Sequence, residues 1–230
     1  MTPFDKNSGS KHAMSDQFEL QLIEDVFEAG GELAFQDNGI NRVAYVVHGG
    51  IAVGDSQFSD DQSWHGRGSE TIVARPEGAT VWRFELAPVL SNPTLLANAQ
   101  GSSQVKLRYQ VSLPGNELLM RNDSVSFPPG GCAYLHTHKG PGIRCLIDGG
   151  IRIDAEGHSK SFGPGGAWFE AGPDPVFAQA ANDRPSRFVR VMILPISYLG
   201  KSSITYVNHE DLDKPKAQVY KSYVDVPIEL

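Results

Sequence analysis

The sequence predicts an all-β chain folded as two β-barrels or sandwiches in tandem. Three observations predict it. Apolar residues alternate with polar ones in short runs; Gly, Pro and Asp punctuate those runs every ~8 to 12 residues, the spacing of strands and tight turns; and the chain repeats itself. Residues 30–53, GGELAFQDNGINRVAYVVHGGIAV, align without a gap on 130–153, GGCAYLHTHKGPGIRCLIDGGIRI, with Gly30, Gly31, Gly49, Gly50 and Ile51 recurring 100 positions later. Residues 63–74 align on 167–178 at a spacing of 104, pairing Trp64 with Trp168 and Ala74 with Ala178, and 81–88 on 188–195 at 107, pairing Arg83 with Arg190. A drift from 100 to 107 is what small loop insertions between strands produce.

Taken in order, residues 1–15 lack the apolar core of a signal peptide and are expected to be a leader outside the fold. The first half spans 16–88 and opens with strand residues Phe18–Phe27. Residues 89–105, rich in Pro, Asn and small side chains, read as a connector with room for one short helix. The second half spans 106–200, beginning with an alternating stretch (106–112) that could be exchanged between the halves. Residues 201–230 form a tail, too polar for a core of its own, that packs on a barrel or on a partner chain.

At 230 residues and 40% hydrophobic, the chain can bury one large core or two smaller ones. A net charge of −7 with no basic run argues against nucleic acid as a partner. No apolar run approaches the ~20 residues of a membrane span. Two cysteines exclude a disulfide framework, and a reducing cytoplasm is the expected compartment.

The chemistry concentrates in 130–153. His136 and His138 sit two apart in a β-forming run, and side chains two apart on a strand share a face. By the same parity Cys132 and Tyr134 join them, while Cys145 faces away from Arg144. Two convergent imidazoles are half of a metal site.

Gly130, five residues, His136-x-His138 and then Gly149 resemble the first sequence motif of the cupin superfamily. The resemblance implies two jelly-roll barrels in one chain, a bicupin, and a metal held by His136 and His138. Two departures accompany it. The family's glutamate ligand falls on Gly142, and the second motif's histidine falls on Pro175 or Val176. In the first half Gln36 and Asn38 stand at the histidine positions and Arg42 at the carboxylate position, so that barrel is expected to bind no metal.

Glu170 is the nearest carboxylate in the pattern and the candidate third ligand, against a structural role as the partner of Arg144 or of a turn N–H. A divalent transition metal (Fe, Mn, Ni or Zn) takes imidazole readily, and two histidines with one carboxylate leave positions open. Tyr134 is a candidate ligand or proton donor. An inward Arg144 must meet Glu170 or an anionic ligand, because an unpaired buried charge is costly. The alternative for the histidines is a polar lining at a barrel mouth. Two functions follow. One is a metal-dependent enzyme (an oxygenase, or an isomerase or lyase) acting on a small carboxylate metabolite; the other is a non-catalytic small-molecule-binding bicupin. A homodimer is expected, with the alternating tail covering sheet edges.

Overall fold

The computed structural model describes residues 17–230; the expected leader lies outside them. The described residues contain seventeen strands and two single-turn 3-10 segments, and the all-β expectation holds, although the sheets are not closed barrels. The first half contains β1 (Phe18–Phe27), β2 (Glu32–Ala34), β3 (Asn41–Val53), β4 (Ser56–Ser59), β5 (Ser63–Gly66), β6 (Thr71–Pro88) and β7 (Gly101–Val111). They form one branched sheet in the order β4-β3-β6-β1-β7, with β2 on β6 and β5 on β3.

The second half contains β8 (Leu118–Phe127), β9 (Cys132–His138), β10 (Gly142–Asp148), β11 (Ile151–Ala155), β12 (His158–Phe162), β13 (Ala167–Glu170), β14 (Val176–Ala180) and β15 (Ser186–Pro195). The tail adds β16 (Ile204–Tyr206) and β17 (Val219–Ile228). Here the strands divide into two sheets, β13-β10-β15-β8-β17 and β12-β11-β14-β9-β16. The difference is one of continuity. Long β3 and β6 run unbroken where the second half has β10 then β11, and β14 then β15.

The strand registers reproduce the internal repeat. Phe27 pairs with Ala79 and Phe127 with Ser186; Ala44 faces Trp64 and Arg83, as Arg144 faces Trp168 and Arg190. Gly49 and Gly149 take φ of 83° and 82°, and a Cβ on either would lie 2.1 Å from a backbone oxygen, of Gly78 or Pro185, so both turns require glycine. One pairing shifts. The Ala74 N–H donates to Gly31 O and the Ala180 N–H to Gly131 O, so Ala74 corresponds to Ala180 and not to Ala178.

The alternating stretch expected at 106–112 is neither exchanged between the halves nor the start of the second: 106–111, with 101–105 of the expected connector, form β7 of the first half. They pair with β1 as the last strand of the first sheet, as β17 pairs with β8 in the second half. The tail thus covers the edge of β8 and, through β16, that of β9.

Burial follows the alternation. Phe35, Ala44, Val46, Ile51, Ile72 and Val81 help to fill the first half, and Phe127, Leu146, Ile153, Trp168, Ala178 and Phe188 the space between the two sheets of the second. A third apolar layer, including Leu22, Tyr45, Phe84, Met120, Cys145 and Val191, joins the halves. Cys145 lies in that layer and Arg144 inside the barrel, as strand parity requires. Burial pushes the Cys145 thiol up to about 12, and neither cysteine is in a disulfide.

Asp61 pins the halves together. Its carboxylate accepts from Tyr45 Oη at 2.9 Å and from Tyr223 Oη, and pairs with Arg187 at 2.9 Å and Lys221 at 2.8 Å. Burial works to raise this carboxyl, but the hydrogen bonds from Lys221, Tyr223 and Tyr45 and the Arg187 charge outweigh it and hold it at about 2. A depressed carboxyl contributes stability that is full above its ordinary 3.8 and is lost as pH falls through about 2. Asp61→Asn, which tolerates the φ of 62°, is therefore expected to cost about 1–2 kcal/mol at pH 7 after allowance for solvent screening. Urea midpoints of the two proteins should converge below pH 4; a constant gap would mean that the charge is not what matters.

Candidate functional site

β9 carries the two histidines, and its geometry departs from simple alternation. Val176 of β14 pairs with His136 and Ala178 with Ala133, so two steps on β14 span three on β9. This β-bulge adds one residue and changes the parity of everything before it. Ala133, His136 and His138 consequently line the barrel interior. Cys132 and Tyr134 do not. Tyr134 is half-buried on the outside, with Lys214 and Lys216 5.1 and 5.4 Å from its ring centroid. The expected role of its phenol as ligand or proton donor is corrected; what Tyr134 supplies is its carbonyl oxygen, 2.6 Å from His136 Nδ1.

That contact fixes the His136 tautomer. Nδ1 must carry the hydrogen to donate to a carbonyl, leaving the lone pair of Nε2 facing inward. His136 Nε2 lies 3.2 Å from His138 Nε2, and the same atom of His138 lies 3.2 Å from Glu170 Oε2. Burial pushes His138 down to about 3 and lowers His136 as well, so both rings are neutral at pH 7.

Glu170 reaches the histidines because β13 pairs with β10 so that Glu170 stands directly opposite Gly142. The carboxylate missing from position 142 is supplied by the neighbouring strand. Glu170 Oε1 accepts from Trp168 Nε1 at 2.8 Å, and Oε2 lies 2.7 Å from Arg144 Nη2. The latter approach is an ion pair without hydrogen-bond alignment, since neither atom has a hydrogen-bond partner. Burial would raise Glu170, but the Arg144 guanidinium, His138 and the Trp168 N–H hold it well below the usual carboxylate range. Burial lowers Arg144 to about 10, which leaves it charged at neutral pH. Its Nη1 donates to Gly142 O at 2.7 Å.

Sequence reasoning brought together His136, His138, Arg144 and Glu170, but it missed Arg190 and Asp123. Arg190 faces Arg144 across β10 and β15 and is held by Asp123 at 2.6 and 3.1 Å. The alignment of Arg83 with Arg190 was the available signal.

Beside the cluster is a space of about 20 Å³, room for a single water molecule. Beyond it lies a chamber of about 410 Å³ that shares Arg190, Ile204 and Tyr220 with the inner space and is further lined by Arg121, Lys201 and Asp225.

No family model and no curated protein matches the sequence. Among solved structures, the chain is similar to Lactobacillus farciminis oxalate decarboxylase in a formate complex, at 14% identity and a TM-score of 0.64, covering 87% of this chain and 82% of that one. A point variant and a deletion mutant of Bacillus subtilis oxalate decarboxylase give TM-scores of 0.63 and 0.62 at 14% and 13% identity, each covering 88% of this chain and 74% of the other. The fold is cupin-type. At these identities the likeness establishes the fold alone.

A cupin-type fold raises the question of a metal. Ligands ~2.0–2.2 Å from a common ion and at right angles lie about 3 Å apart, close to the two 3.2 Å separations here. Two observations decide against a three-ligand centre. Arg144 brings a fixed positive charge to within 2.7 Å of the oxygen that would bind. His138 Nδ1 is buried without a partner, whereas a metal-bound imidazole donates its second N–H to a neighbouring acceptor. With its hydrogen on Nε2, His138 can instead donate to Glu170 or His136. Among the described residues no group of three or more His, Cys, Asp or Glu side chains is disposed to hold a metal ion. The expected ligand role of Glu170 gives way to its alternative as the partner of Arg144.

The first half of the cupin-type fold holds only paired ions at the equivalent place. Arg42 Nε donates to Glu85 at 3.0 Å and Arg42 Nη2 to Asn38 at 2.8 Å; Arg83 is held by Asp25 at 2.7 Å and by Glu85. Phe35 lies beneath both guanidinium groups. Gln36 and Asn38 lie beyond β2 and are exposed.

Proposed function

We propose that the chain is a small-molecule-binding bicupin whose second half takes a small organic carboxylate in the chamber above the histidines. The supporting observation is charge balance. The residues lining the chamber and the inner space carry four cations (Arg121, Arg144, Arg190 and Lys201) against three carboxylates (Asp123, Glu170 and Asp225), with both histidines neutral. One monoanion neutralises this excess, in a chain whose net charge is −7. The chamber volume falls within the ~300–1,000 Å³ of small-ligand sites. The similar solved structures include an oxalate decarboxylase in a formate complex, which sets the first probes.

Thermal unfolding with formate, acetate and oxalate is the test. At least one should raise the melting temperature saturably, by the linkage expected of a ligand that binds only the folded state. The double variant Arg144→Met/Glu170→Gln, which removes both charges together, should weaken the effect at least about tenfold. No response to any of the three acids, or an unchanged response in the double variant, rejects the reading.

A second reading, the metal-dependent enzyme, is favoured by the 3.2 Å convergence of the two Nε2 atoms. Its cofactor would be a divalent transition metal (Fe, Mn, Ni or Zn) and its substrate the same class of carboxylate. Elemental analysis of untagged protein separates the two, with about one equivalent of metal favouring the enzyme.

A further inference from the structure

We propose that the Arg144 guanidinium is the resident cation of the second half, built into the chain in the place that a divalent metal would take between His136, His138 and Glu170. The inference rests on the metal-free reading above and says what replaces the ion.

Three independent placements carry it. The first is spatial. A Cβ at Gly142 would lie 3.0 Å from Arg144 Nη1, so the guanidinium fills the space above the position where a ligand carboxylate would be rooted. The second is electrostatic. Glu170, opposite Gly142, turns the oxygen nearest His138 toward the Arg144 cation at 2.7 Å. That oxygen and the lone pair of His136 Nε2 are what an ion would bind. The third comes from the first half, where Arg42 projects inward one alternation earlier on the equivalent strand, at the position aligned with Gly142, and is met there by Glu85. Each half therefore keeps one buried arginine on the same strand face, neutralised by a carboxylate from an adjacent strand. A charge carried on a side chain cannot dissociate and offers no open coordination position.

The consequence is a latent metal site. Removing the guanidinium leaves two imidazoles and a carboxylate already converging, with the positive charge beside Glu170 gone and the remaining one, Arg190, held by Asp123. The experiment uses the untagged full chain, wild type and Arg144→Ala, with Arg144→Met as a second variant that preserves the side-chain stem. Each is titrated with Co(II), following visible absorption and thermal unfolding. Wild type should hold less than about a tenth of an equivalent and show no shift in melting temperature. The Arg144 variants should bind about one equivalent at least 100-fold more tightly and be stabilised by it, and adding His136→Ala should abolish the gain. Stoichiometric Co(II) on wild type overturns the inference. So does either folded Arg144 variant binding no better than wild type, or a gain that survives His136→Ala. Carboxylate binding by wild type is measured without metal, so the ligand reading can fail while this inference stands.

Discussion

Glu85→Ala is expected to destabilise the protein by about 3–5 kcal/mol, a large part of the 5–15 kcal/mol available to a typical domain. Glu85 is 1% exposed and serves two arginines, Arg42 and Arg83, which are 1% and 0% exposed. Its removal leaves three carbonyl and amide contacts on Arg42 but no counter-charge, and leaves Arg83 with Asp25 as its one counter-charge beside the Thr94 carbonyl. The charge, and not the volume, carries the loss. Arg42→Met/Glu85→Leu, which removes the cation with its partner and keeps Arg83 on Asp25, should recover most of it. Urea unfolding at pH 7 reads both. A single-variant loss below about 1 kcal/mol would mean that the pair is solvated and that burial has been overstated.

Gly142→Ala is expected to cost about 3 kcal/mol, at the upper end of overpacking penalties. The added Cβ would meet Val191 O at 2.6 Å and Met192 Cγ at 2.7 Å. Val191 belongs to β15, whose backbone is paired on both sides, with β10 and β8, so it cannot retreat cheaply. Gly142→Glu, which would put a carboxylate at the position where the cupin motif carries one, should fail to fold. The equivalent position in the first half accepts Arg42 because its cross-strand neighbour there is Glu85, where the second half has Met192. Melting temperatures of the two variants decide; a Gly142→Glu protein as stable as wild type would show that the barrel can re-form around a ligand at that position.

The duplication, the strand content and the inward direction of His136, His138 and Arg144 were legible in the sequence, because turn glycines and a two-residue period are local signals. Tyr134 was misread for a local reason as well: one extra residue in β9 reverses the parity before His136, and nothing in CAYLHTH marks it. Glu170 was found by its position but its partner was not decidable, since choosing between a metal and Arg144 depends on the β13–β10 register. Asp123 carried no pattern at all, because its pairing with Arg190 spans 67 residues. Nor could the sequence place 101–111, whose alternation suits either half until its pairing with β1 is seen.

Each half ends by laying its last strand along its own first: β7 on β1, and β17 on β8. A unit of this kind begins and finishes on neighbouring threads of one edge. Copying it head to tail therefore needs only a short bridge, here the six residues between Val111 and Leu118, and no rethreading of either copy. Duplication of such a module is topologically inexpensive.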